Sequence, residues 1–201
     1  MPADRSLDAG AGDLSIVAWV NPASDAQSQP IVTKRYAPAD APLGYSLSLE
    51  NLEPTFDMAN EVSSLRATDR VLTMPLRIGI WELLAVTIQR GSTTGGRLYR
   101  NGVPYNVFDT TPLIGAVETQ AELHIGEEPR FGRGGAQHYF RGAIDEVQIY
   151  HRVLTEAEVR SIYTAGAYGV CGKRPAPTAT PRLRPTTVPP PPLAGRRRSP
   201  E

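Results

Sequence analysis

One cysteine, Cys171, stands in a chain of 201 residues, so no internal disulfide can form and the redox compartment leaves no mark on the composition. Three histidines, His124, His138 and His151, lack the spacing of a zinc site. No apolar run approaches the roughly 18 residues needed to cross a bilayer, and the opening MPADRSLDAGAGD lacks the basic start and apolar stretch of a signal peptide. A serine elbow of the G-x-S-x-G kind, a phosphate loop and a dinucleotide fingerprint are all missing, which removes the commonest hydrolase and nucleotide-binding chemistries. An excess of either charge is missing too, with 21 basic and 21 acidic residues. That balance hides an asymmetry. Seven basic residues but only one acid follow Cys171, leaving residues 1–171 with a formal charge of −6. An acidic body argues against a nucleic-acid partner, whose phosphates call for Lys and Arg.

What is present reads as one domain over residues 1–171 and a separate segment over 172–201. Nine of those last thirty residues are proline, interleaved with Thr and Arg. Such a segment favours extended polyproline II, has too few apolar residues to fold, and is expected to be a disordered linker or tail. Its Arg196–Arg198 run reads as solvated charge, or as a contact for an acidic surface.

Within the domain, short alternating runs separated by Gly, Pro, Asn and Asp predict an all-β, two-sheet antiparallel sandwich of the jelly-roll kind. The runs are 15–20, 30–36, 44–50, 54–58, 81–90, 96–102, 121–126 and 142–150. Tyr45, Leu47 and Leu49 share one face, with Ser46, Ser48 and Glu50 on the other. Asn101-Gly102 predicts a type I′ hairpin, because both residues tolerate positive φ. A single short helix should close the domain: Thr155 and Glu158 form a capping box, Leu154 can staple onto Val159, and Gly166 ends the stripe of Val159, Ile162 and Tyr163.

Strand parity draws attention to Asp145. An unbroken strand over 142–150 puts it on the face of Val147 and Ile149, where a carboxylate needs a hydrogen bond, a cation or a metal. Asp145 and Glu146 would then face opposite sides, so they cannot serve one substrate as a catalytic acid pair.

These segments, in order and spacing, resemble the laminin G-like jelly rolls of the concanavalin A-like lectin/glucanase superfamily. The resemblance rests on DLSIVAWVNP, IVTKRY with GYSLSLEN, WELLAVTIQRG, GGRLYRNG, ELHIGEE and, most specifically, FRGAIDEVQIYHRVLTEAEVRSIYTAG. It spans residues 13–168 and implies two face-to-face sheets, one bent into a concave surface, with a short terminal helix. It also implies carbohydrate binding, an extracellular setting and a structural Ca2+ near the Ile-Asp-Glu strand. Asp145 is then the first candidate metal ligand and Asp13 or Asp8 a second. Against calcium stands the simpler reading that Asp145 caps backbone N–H groups or pairs with Arg141. Two features depart from the family pattern. The early strand before DLSIVAWV is short or absent, and the Glu-x-Asp-x-x-Glu motif of the glucanases is missing.

Candidate ligand-binding residues lie mainly in the glycine-rich stretch 127–142: Arg130, Arg133, His138 and Tyr139 combine a ring with hydrogen-bonding groups. Tyr36 and Tyr105 are further candidates, whereas Trp19 and Trp81, set among apolar residues, are expected in the core. The reading is a non-catalytic module that binds carbohydrate or glycoprotein, monomeric or part of a larger multidomain chain. The alternatives are a structural or adhesion spacer and, third, a glucanase-like hydrolase.

Overall fold

The computed structural model describes residues 4–36, 43–68, 75–129 and 137–166. The segment 172–201 lies outside them, as do Arg130 and Arg133. The strands are β1 (Leu14–Pro22), β2 (Ser28–Tyr36), β3 (Leu43–Glu50), β4 (Glu53–Ala59), β5 (Ser64–Thr68), β6 (Glu82–Ile88), β7 (Gly96–Arg100) and β8 (Val103–Phe108). After these come β9 (His124–Ile125), β10 (Glu127–Glu128), β11 (His138–Tyr139), β12 (Gly142–Tyr150) and the helix α1 (Glu156–Ala165).

Two five-stranded antiparallel sheets result, one ordered β12-β1-β6-β7-β8 and the other β5-β4-β3-β2-β9. Their facing sides share one core. Leu14, Ile16, Ala18 and Val20 of β1 meet Tyr45, Leu47 and Leu49 of β3 and Phe56 and Met58 of β4 within it. The alternation predicted for β3 therefore holds. Asn101 and Gly102 both have positive φ, at 51° and 78°, as the β7–β8 hairpin requires.

The outer side of the first sheet is covered by α1. Val17, Leu83, Ala85 and Tyr99 pack there against Leu154, Val159 and Ile162. Both halves of the capping box form, and the Gly166 N–H closes the helix on the Ile162 carbonyl. A Cβ on Gly102 would sit 3.2 Å from the Arg160 Cα, which shows how closely the helix rides on the hairpin turn.

Three one-residue irregularities interrupt the registers: one makes Tyr105 of β8 the extra residue, and those in β12 and β2 redirect side chains. In β12, Val17 pairs with Gln148 but Trp19 pairs with Asp145, so Glu146 and Val147 both oppose Ala18. Glu146 takes φ 49° to make room. Ile144, Val147 and Ile149 consequently all reach the core, and Asp145 is thrown outward and exposed. This corrects the parity argument, which assumed an unbroken strand. In β2, Pro30 pairs with Ser48 and Val32 with Leu47, leaving Ile31 as the extra residue.

Beyond the irregularity in β2, Lys34 points inward and is fully buried. Its three N–H donors meet Asp8 Oδ1 at 2.8 Å, the Ala121 carbonyl at 3.0 Å and the Thr119 carbonyl at 3.2 Å. Tyr45 adds a second tie, donating from Oη to the Leu7 carbonyl at 2.7 Å. Burial, with Asp8 nearby, pushes its phenol well above the ordinary value. Among the described residues no early strand occupies this position: the chain makes a 3-10 turn at Arg5–Leu7 and one bridge, Gly10 to Val117.

Replacing Lys34 by Met should leave Asp8 buried without its cation. The expected cost is about 3 kcal/mol, read as a lower urea midpoint at unchanged slope. An unchanged midpoint would show that the pair carries no net stability.

Candidate functional site

The outer side of the β5-β4-β3-β2-β9 sheet carries a polar rung that crosses all five strands. Register pairs His124 with Thr33, Thr33 with Ser46, Ser46 with Asp57, and Asp57 with Arg66. The neighbouring rung on the core side runs Val32, Leu47, Phe56 and Ala67. Period-two alternation thus places one polar and one apolar side on the same strands.

Two arginines organise the polar side. Arg35 donates to Ser46 Oγ at 3.1 Å and faces Glu128 Oε1 at 3.5 Å. Arg66 binds Glu50 and stands 3.4 Å from Asp57. The β10–β11 hairpin brings Glu128 and His138 to this group, with Glu128 opposite His138 in register. Burial raises the Asp57 carboxyl above its ordinary value, although Arg35 and Arg66 pull it down. Burial likewise raises Glu128 against the pull of Arg35 and His138. Both acids are therefore more desolvated than their arginines offset.

Two cavities open beside this network. One, about 580 Å³, is lined by Arg35, Asp57 and Arg66 together with the β4–β5 turn. The other, about 700 Å³, is lined by Tyr36, Arg5, Glu118, Thr119 and Gln120 and has Asp8 in its wall. Leu43 and Glu61 line both, so the two form one groove. The turn between them is rigidly held: the Asn60 side-chain amide donates to the Ile114 and Ala116 carbonyls, and its Oδ1 accepts from Val62 and Ser63.

The sequence candidates are dispersed by this arrangement. Tyr36, 56% exposed, lines the larger cavity. His138 joins the Arg35–Glu128 group, while Tyr139 stands exposed on the hairpin at 54%. Tyr105 packs partly buried against the main core. Arg130 and Arg133 lie outside the described residues. Trp19 is half-buried, stacked on Tyr163 at 5.8 Å under the helix side of the first sheet, but Trp81 is 44% exposed, contrary to its expected core position. It precedes β6 in a turn, and only from Glu82 onward does the strand carry residues inside.

Asp13 and Asp145 do not form a metal centre together. Asp145 pairs with Trp19 whereas Asp13 precedes Leu14, a separation of six residues along β1, or about 20 Å at strand rise. Asp13 Oδ1 accepts from the Arg90 N–H at 2.8 Å, and Asp145 Oδ1 from the Glu146 N–H at 2.8 Å. Calcium asks for six to eight oxygens within 2.6 Å, and among the described residues no three His, Cys, Asp or Glu side chains cluster closely enough to hold a metal ion.

The residues missed by sequence reasoning are Arg35, Asp57, Arg66, Glu128, Glu61 and Gln120. The alternation of Ser46, Ser48 and Glu50 signalled a wet face, but only register shows which strands it joins.

The model of the laminin G type in the concanavalin A-like lectin/glucanases superfamily matches residues 2–160. The chain belongs to this family. Among solved structures, the laminin G-type domain is similar to the binding domain of Paraclostridial Mosquitocidal Protein 1, at TM-score 0.60 and 14% identity over 81% of this chain and 39% of that one. It is also similar to a heptameric SAP-like pentraxin from Limulus polyphemus, at TM-score 0.60 and 15% identity, covering 82% and 74% of the two chains. A proposed carbohydrate-binding protein from Bacteroides ovatus gives TM-score 0.58 and 16% identity, covering 75% and 40%. The domain thus spans well under two thirds of the first and third of these structures. No curated protein sequence matches it. At such identities the likeness is one of fold.

The raised carboxyls make a checkable statement about stability. A carboxyl whose folded pKa exceeds the unfolded one keeps its proton longer in the folded state, so its contribution to stability grows as pH falls through the folded value. Asp57→Asn should therefore raise the thermal midpoint at pH 7, the difference closing as pH falls towards the ordinary Asp range. A midpoint lowered at pH 7 would show that Arg66 needs the charge more than burial opposes it.

Proposed function

We propose that this laminin G-type domain is a non-catalytic module that binds carbohydrate or the glycan of a glycoprotein in the groove running from Arg66 to Tyr36. The observation that carries the reading is the groove itself. It joins an exposed ring, Tyr36, to hydrogen-bonding groups on Arg5, Thr119 and Gln120, and continues past Glu61 to Arg35 and Asp57. Sugar recognition needs a ring against which an apolar sugar face can stack and polar groups that fix hydroxyl orientation. An open groove of this length suits several residues of a glycan chain.

The fold neighbours support the same reading, since one is a proposed carbohydrate-binding protein and another is a toxin binding domain. Glu50, Asp57 and Glu128 each face an arginine, which holds the polar groups along the groove in place. Glycan binding of this kind also fits work outside the cell, as one part of a longer chain. The reading does not depend on calcium, since neither Asp13 nor Asp145 lines the groove.

Three outcomes are expected. On an array of neutral, amino and acidic glycans the full chain should retain at least one class. Tyr36→Ala and Gln120→Ala should each weaken that retention about tenfold, the scale of one lost stacking or hydrogen-bonding contact, without moving the thermal midpoint. Retention untouched by both variants would remove the groove as the site, and release of reducing sugar during retention would replace binding with hydrolysis. Thermal midpoints in millimolar calcium and in chelator should coincide, whereas a calcium-dependent rise would restore an ion to the fold.

A further inference from the structure

The charges of the groove divide into those already engaged and those left open. Arg35 donates to Ser46 Oγ and faces Glu128, Arg66 faces Glu50 and Asp57, and the Lys34 ammonium uses its donors on Asp8 and two carbonyls. Glu61 and Glu118 differ. Both are exposed in the lining of the larger cavity, and among the described residues neither has a hydrogen bond or an ion pair. Arg5 is the cation left to oppose them in that lining. With the engaged partners counted as well, six carboxylates (Asp8, Glu50, Asp57, Glu61, Glu118 and Glu128) surround the groove against four cations (Arg5, Lys34, Arg35 and Arg66). Arg90, bonded to the Leu113 and Gly115 carbonyls beside those that hold Asn60, has Asp13 as its counter-charge.

The two open acids sit on segments that are tied down. Glu61 follows Asn60, whose amide donates to the Ala116 carbonyl at 3.1 Å, and Glu118 follows Val117, which exchanges backbone hydrogen bonds of 2.8 and 3.0 Å with Gly10. Their backbones are therefore set before a ligand arrives, and Tyr36 and Gln120 line the same cavity. A carboxylate only accepts, so two open carboxylates call for donors, and most strongly for donors that carry positive charge.

We propose that the groove selects glycans that carry free amino groups, a ligand class that rests on the glycan-binding reading and narrows it. A protonated sugar amine offers three N–H donors and no acceptor, which matches Glu61 and Glu118. N-acetylation removes the charge and leaves one donor. A uronate or sulfate would bring a further anion to two unpaired carboxylates, and the arginines that could receive it are held by Glu128, Glu50 and Asp57. The whole chain, with 21 basic and 21 acidic residues, has no net charge to attract an amine, so the preference is local to the groove.

The test is calorimetric titration of the full chain with three soluble tetrasaccharides: β-1,4-linked glucosamine, its N-acetylated counterpart and a galacturonate. The glucosamine chain is expected to bind about tenfold more tightly than the N-acetylated one, the weight of a charged over a neutral hydrogen bond, and the galacturonate most weakly. The margin should shrink as salt rises, and again as pH rises far enough to deprotonate the amine. Glu61→Gln with Glu118→Gln keeps hydrogen-bonding capacity without charge, and should bring the glucosamine and N-acetylated affinities together at an unchanged thermal midpoint. Equal or tighter binding of the N-acetylated or galacturonate chain overturns the amine preference while leaving the groove as a glycan site. A preference that survives the double variant arises from other charges and overturns it as well. Binding of none of the three also overturns it, and if the array retains no glycan either, the glycan reading falls with it.

Discussion

The ammonium of Lys34 holds together parts of the chain that have no strand to share. Its side chain leaves β2 on the dry side, fully buried, where a bare cation would cost several kcal/mol. Asp8 and the carbonyls of Thr119 and Ala121 use all three of its donors, and each lies on a segment outside the two sheets. The ion pair thereby draws the N-terminal turn and the 119–121 segment against the sandwich. Those segments supply Asp8, Arg5, Thr119 and Gln120 to the wall of the larger cavity. The groove exists because a buried charge had to be satisfied.

A comparable logic governs β12. An extra residue opposite Ala18 lets Ile144, Val147 and Ile149 all reach the core, although regular alternation would have sent Ile144 outward. Burial of three branched side chains outweighs the cost of one residue, Glu146, at positive φ. Asp145 is displaced to solvent by the same event and caps the bulge through the Glu146 N–H. Its Oδ1 is thereby bonded to the backbone of its own bulge.

The two sheets divide their outer sides differently. The first gives its outer side to α1, whose Val159 and Ile162 keep Val17, Leu83 and Ala85 dry. Among the described residues no helix covers the second, which instead carries the polar rung, over which Arg35, Glu128 and the β10–β11 hairpin lie. Desolvation of Asp57 and Glu128 follows from that cover, and their raised pKa values record it. A glycan entering the groove would meet groups already stripped of part of their water, which makes each hydrogen bond it offers more favourable.

Much of the fold was legible along the chain because its signals are local. Period-two alternation marked most of the strands, the Asn101-Gly102 pair marked a turn, and Thr155 with Glu158 and Gly166 bounded the helix within a residue. The family resemblance read from the sequence rests on the same segments. Short strands such as β5 and β10 escaped because two to five residues carry too little periodicity to stand out. The site was barely legible. Tyr36 and His138 were singled out by residue type, whereas Arg35, Asp57 and Arg66 become neighbours only through cross-strand register, which no single strand encodes. Trp81 was misplaced because apolar neighbours in sequence do not guarantee apolar neighbours in space. The chain alone determined which segments are strands, helix and turns, since those follow from side-chain periodicity and backbone preference within a few residues. Tertiary structure alone decided the face of Asp145, the burial of Lys34 and the joining of two cavities into a groove, since each depends on a bulge or a contact between residues far apart in the chain.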